Sequence, residues 1–163
     1  KSDGALLRGE ELSERTQWLT SAARALNADF VVVQTSSKVT PGQRDRQRLL
    51  RVFESVSSKK YALHWQPSGL WEIRSALRFT QDLNVDIACD PLQGDVPPGS
   101  VSYARLKAIG GRSRFGEGVL YDIADKLSYL AKAEAQVAIE SEQSFREARR
   151  LQEIASEAGL TLG

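Results

Sequence analysis

The sequence contains no methionine, a single cysteine and a single histidine among its 163 residues. Cys89 has no partner for an internal disulfide, and Cys89 with His64 cannot supply the four ligands of a Cys/His zinc site. No metal and no cofactor are therefore expected, and the single thiol suggests a reducing, cytoplasmic compartment. Without a methionine, Lys1 is not read as a translation start. The expectation is that upstream residues were removed or that the chain is part of a longer protein. No apolar run approaches the roughly 20 residues of a membrane span, and Lys1-Ser2-Asp3-Gly4 has none of the character of a signal peptide. A soluble chain with no membrane partner is expected. Charge of one sign is also missing: 22 basic residues face 21 acidic ones, for a net charge of +1. Neither a nucleic-acid backbone nor an anionic membrane would attract the chain as a whole, so binding of that kind needs a local patch.

With 41% hydrophobic and 26% charged residues, the chain can bury one core, and a single domain over 1–163 is expected. Apolar runs alternate with helical periodicity. A leading helix over about Gly9 to Leu26 carries Leu12, Leu19, Ala22, Ala23 and Leu26 as its apolar stripe. Strands follow at 29–35 (DFVVVQT), 61–65 (YALHW), 85–90 (VDIACD), 101–106 (VSYARL) and 135–140 (AQVAIE). Between and after them, helices are expected from Thr40, over Trp71 to Leu83, over Glu117 to Ala131 and from Ser144. Thr40-Pro41-Gly42-Gln43 and Ser144-Phe145-Arg146-Glu147 both have the spacing of a capping box. The fold class expected is α/β, built from parallel βα repeats.

Parity along the strands chooses between parallel architectures. One set, which includes Val31, Leu63, Trp65, Ile87, Cys89, Leu106 and Ile139, is apolar throughout and suits a helix-covered face. The other set includes Gln34, His64, Gln66, Asp86, Asp90, Tyr103, Arg105 and Glu140, and its polar members gather at strand C-terminal ends. That division fits a barrel lining better than a doubly wound sheet. Five strands cannot close an eight-stranded barrel, which takes about 250 residues. A partial barrel is expected, with its missing strands before Lys1 and any open edge covered by its own helices, a second copy or a protein partner.

The strand ends then form a series: Val33-Gln34-Thr35, Trp65-Gln66-Pro67-Ser68-Gly69, Asp90-Pro91, Tyr103-Ala104-Arg105-Leu106 with Gly110-Gly111, and Ile139-Glu140-Ser141. In order and spacing it resembles the YecE-like family, a domain of unknown function whose members are TIM-type barrels without an established activity, and in particular a shorter archaeal-type branch. The likeness implies that these residues are the C-terminal five strand-helix units of such a barrel. It also exposes departures. The family pattern has glutamate and arginine where this chain has Gln66 and Ser68, Arg-Leu-His-Gly where it has Arg105-Leu106-Lys107-Ala108, and an Asn-Asn pair where it has Glu140-Ser141. Glutamine at 66 keeps hydrogen-bonding capacity but cannot act as a general base or a charged metal ligand.

In a TIM-type barrel the chemistry sits at the C-terminal mouth. The ligand-binding candidates there are Gln34, Thr35, Gln66, Tyr103, Arg105, Lys107 and Glu140. Arg105 would take a small anionic or phosphorylated ligand bidentately, and Asp90 is the sole catalytic candidate. The bland alternative is an Asp90 to Arg105 ion pair with the glutamines satisfying backbone groups. His64 lies deeper on the same parity and is read as a hydrogen-bonded interior histidine, and Cys89 as an inert buried thiol. A transition-metal site is not expected. The leading function is a degenerate binding module with an anion-binding mouth, leaning away from an enzyme. The alternatives are a hydrolase or lyase acting on a phosphorylated or sugar-like substrate, and a nucleic-acid-binding protein using Lys107, Arg112, Arg114 and Phe115. A second basic cluster divides by helical geometry, with Arg44, Arg48 and Arg51 on one face and Arg46 turned away.

Overall fold

The computed structural model describes residues 9–93, 96–108 and 113–163. Helices and strands alternate: α1 (Gly9–Ala25), β1 (Phe30–Gln34), α2 (Gln43–Val56), β2 (Ala62–Gln66), α3 (Ile73–Thr80), β3 (Asp86–Cys89), β4 (Val101–Lys107), α4 (Glu117–Leu130), β5 (Ala131–Glu140), α5 (Ser144–Glu157) and β6 (Thr161–Leu162). The chain forms two compact units, Lys1–Asp86 and Ile87–Gly163. All the strand pairs described are parallel, which makes this an α/β protein of parallel βα repeats. Among the described residues, no helix is long and apolar enough to cross a membrane.

In the first unit β1 and β2 pair in register from Phe30 opposite Ala62 to Gln34 opposite Gln66. The β-branched run Val31-Val32-Val33 favours this pleated surface. On α2, Leu49, Val52, Phe53 and Val56 are buried at helical spacing and make its inner stripe. Trp65, fully buried, stands edge-on to Trp71 with ring centroids 4.8 Å apart, and Phe53 and Phe79 close the cluster at 5.5 and 5.8 Å from it. Arg46, the arginine turned away from its neighbours on α2, lays its guanidinium over Trp71 and Phe79 at 5.3 and 5.4 Å and donates from Nε to the Pro41 carbonyl at 2.7 Å. Leu26 does not join the apolar stripe of α1. It lies past the end of the helix and is 79% exposed, because Asn27 takes a left-handed conformation there that turns the chain.

In the second unit β3, β4, β5 and β6 pair in chain order. Leu120, Ile123, Ala124, Leu127 and Leu130 form the buried stripe of α4, and Leu151, Ile154 and Ala155 that of α5. β5 begins at Ala131, four residues before the apolar run, because α4 ends there and the chain passes directly into extended backbone. The two-residue β6 pairs Thr161 and Leu162 with Glu134 and Ala135, so the chain's own end covers the first half of the β5 edge. After α5, Gly159 at φ 76° makes the turn that leads into it.

Both capping boxes are offset from the helix starts. Gly42 is the N-cap of α2 and Gln143 that of α5, and neither makes a side-chain cap bond. Thr40 instead donates its backbone N–H and its hydroxyl to the Asp45 carboxylate, both at 3.0 Å.

The loops that follow β1 and β2 approach closely at Gly69. Gly69 has φ 70°, and a Cβ there would stand 2.7 Å from the Ser37 Cα. Gly99 has a similar φ of 64° with open space around it. Gly69→Ala therefore adds a backbone clash to the left-handed strain, whereas Gly99→Ala meets the strain alone. We expect Gly69→Ala to lower unfolding free energy by more than about 1 kcal/mol and by clearly more than Gly99→Ala, as read from urea midpoints. Equal midpoints would show that the Ser37 loop yields.

Candidate functional site

Side chains at the C-terminal ends of parallel strands stand beside the first turns of the helices that follow, which is where such sheets present groups to ligands. Each unit has one such cluster.

In the first unit Gln34 and Gln66 are register partners at the ends of β1 and β2. Thr35 is the hub. It is buried, its N–H donates to the Gln66 carbonyl at 3.2 Å, its hydroxyl accepts from the Trp65 indole at 3.1 Å, and its carbonyl accepts from the Ser68 hydroxyl at 2.7 Å. Six polar groups from four residues thus satisfy one another. Strand β2 can end on a glutamine because its carbonyl holds Thr35 while its side chain stays half-buried. Ser68 makes a structural bond here. His64 is buried and meets the Phe30 ring edge-on at 5.8 Å, in keeping with an interior histidine.

In the second unit one face of β4 carries Tyr103, Arg105 and Lys107, which grade from buried through half-buried to exposed toward the strand end. Across the pair, Arg105 stands opposite Ala138 and Lys107 opposite Glu140. The small Ala138 leaves room for the guanidinium to reach along the sheet, and its Nε and Nη2 both engage Oε1 of Glu140. Burial pushes the Tyr103 phenol above its ordinary value, opposed by the positive Arg105 and reinforced by Glu140. Lys107 makes no side-chain hydrogen bond or ion pair with another described residue. Among the described residues of β4 and β5, these strand ends bring together Arg105, Lys107 and the carboxylate of Glu140.

Asp90 has a different setting. Its carboxylate accepts the Leu92 N–H and the Gln93 side-chain amide, both at 2.9 Å, and its carbonyl accepts the Gln93 N–H at 3.0 Å. It stabilises the turn after β3, and Glu140 takes the place beside Arg105 that Asp90 would have filled as an ion-pair partner. Cys89 is 5% exposed, and burial together with the neighbouring Asp90 charge pushes its thiol up to about 12. Among the described residues no three His, Cys, Asp or Glu side chains come together as a metal would need.

Next to these strand ends, the loop after β4 meets the loop after β5. Glu147, on the first turn of α5, is buried, and its carboxylate accepts the Phe115 N–H at 2.8 Å and the Ser141 hydroxyl. The Glu142 N–H donates to the Ser113 carbonyl at 2.9 Å. Of the nucleic-acid candidates, Arg114 and Phe115 belong to this junction, Lys107 ends β4, and Arg112 lies outside the described residues. Sequence spacing marked Glu147 only as a helix cap. Its place two residues after Ser144-Phe145 gave no signal that it would join two loops.

Protein-family models, curated proteins and solved structures yield no match to this chain.

Two measurements follow. Glu147→Ala leaves the Phe115 N–H without its acceptor and should lower stability by about 1–3 kcal/mol, with Ser141→Ala costing less because its hydroxyl is only partly buried. Urea denaturation of both variants checks the order. For Cys89, a neutral buried thiol should resist iodoacetamide at pH 8 in the native protein and react only on unfolding, as read by mass spectrometry.

Proposed function

We propose that this chain is a binding module of the YecE-like, TIM-type kind, whose mouth holds a small anionic ligand at the C-terminal ends of β4 and β5. The observation that carries the reading is the single face bearing Arg105, Lys107 and Glu140, with a net charge of +1 and a partly exposed guanidinium. Glu140 acts as the resident counter-ion. A phosphoryl or carboxylate group displaces it from Arg105 bidentately while Lys107 adds its charge from the strand end. Tyr103, deeper on the same face, floors the site.

The parallel βα repeats and the polar strand ends support the family likeness. The departures from the family pattern support a degenerate site: Ser68 bonds to Thr35, Glu140 to Arg105 and Ser141 to Glu147, so three of the altered positions have internal partners. The engagement of Asp90 with its own turn favours binding over acid/base chemistry, since its carboxylate oxygens already accept two N–H groups.

Thermal-shift titration with phosphate, sugar phosphates and mononucleotides tests the mouth. A ligand at 100 times its Kd adds about 2.7 kcal/mol, a shift of several degrees for a domain of this size. Arg105→Ala should abolish the shift. Glu140→Gln should enlarge it, because the competing carboxylate is gone. If Glu140→Gln binds no better than wild type and Arg105→Ala merely unfolds at lower temperature, the pair is structural and the reading fails.

A further inference from the structure

Between the first turns of α4 and α5 lies a groove of about 460 Å³, lined in part by Arg114, Phe115, Arg146, Arg149 and Arg150. It stands apart from the Arg105 face and does not depend on that reading. Its acidic lining is already occupied. Glu147 is turned inward onto the Phe115 N–H and the Ser141 hydroxyl. Glu117 and Glu153 both hold Arg150, whose guanidinium also lies over the Tyr121 ring. Arg114, Arg146 and Arg149 are left, and none of them makes a side-chain hydrogen bond or ion pair with another described residue. Three guanidiniums facing one open groove repel one another unless anions join them.

Arg149 also lines the adjoining groove formed with Phe145, which precedes it by one helical turn and is 89% exposed. An exposed aromatic beside unpaired arginines offers a base a stacking surface next to its phosphates. Three separate guanidiniums suit a run of phosphates better than one. We infer that the α4–α5 groove binds the phosphate backbone of a single-stranded nucleic acid, with Arg114, Arg146 and Arg149 holding phosphates and Phe145 stacking a base.

Fluorescence anisotropy of a labelled short oligothymidylate, at low and moderate salt, tests this with the whole chain. Wild type should bind at low salt and weaken steeply as salt rises. Arg146→Ala/Arg149→Ala should lose at least about tenfold in affinity and flatten the salt slope by about 0.7 for each phosphate contact removed. Phe145→Ala should lose about tenfold with its salt slope unchanged. Arg51→Ala, an exposed arginine on α2, should bind like wild type. Equal urea midpoints for these surface variants exclude unfolding as the cause. No binding at low salt overturns the inference, as does a double variant that binds like wild type. An oligonucleotide affinity no higher than that of a mononucleotide also overturns it. The fate of the Arg105 proposal is read from other variants and other ligands, so the two can fail separately.

Discussion

The carboxylate of Glu147 is buried, and among the described residues no cation pairs with it. A charge in that position needs donors, and it draws them from two different connections: a backbone N–H of the loop after β4 and a hydroxyl of the turn after β5. Two loops of the second unit meet around that need. The N–H of Phe115 fixes where α4 begins, and the hydroxyl of Ser141 fixes how the chain leaves β5. Arg114 precedes the first anchor, and Glu140, which precedes the second, faces Arg105. The first unit solves the same problem with neutral groups. Thr35 joins the loops after β1 and β2 through its N–H, hydroxyl and carbonyl, and Gly69 lets the second loop lie against the backbone of the first.

These two junctions explain why polar residues gather at the strand ends without all being available to a ligand. Thr35 and Ser68 are used in holding loops together, and Asp90 in shaping the turn after β3. Arg105 and Lys107 differ from them. One is paired with the Glu140 carboxylate, and the other has no described partner. A partly exposed ion pair contributes little to stability, commonly about 0–1 kcal/mol, so this pair adds little to the hold of β4 on β5.

The alternation of strands and helices was legible because each depends on a local pattern. The continuous apolar run Val31-Val32-Val33 reads as a strand, and the structure places it in β1 with Val31 buried. Where the sequence misled, the deciding contact was distant. Ser144 and Glu147 have capping-box spacing, yet Glu147 found a stronger claim on the Phe115 N–H, 32 residues away. The expected helix end at Ala131 is instead the start of β5, where Ala131 pairs with Val101 of β4 and Glu134 and Ala135 pair with β6. Two residues such as Thr161 and Leu162 are too few to show a period at all. Leu26 matched the apolar stripe of α1 by spacing, but Asn27 ended the helix before the stripe could use it. The choice of Glu140 over Asp90 as the partner of Arg105 is a matter of register. Only the pairing of β4 with β5 reveals that a small Ala138 stands opposite the arginine and opens the path to Glu140.

Register also bears on how two strand-end side chains can matter in different ways. At position 66 the side chain is a neutral amide, but the strand end is held through the backbone carbonyl that Thr35 uses, and a carboxylate or an amide would permit that bond equally. At 140 the situation is reversed. The side chain itself closes the arrangement by neutralising Arg105, a role that an amide would fill only weakly because it carries no charge. A change at 66 therefore has little consequence for that bond, whereas a change at 140 alters the charge that the strand end presents. Binding can persist under such substitutions longer than catalysis can, because it needs a complementary field over several ångströms, while proton transfer needs one group of the right acidity at one point.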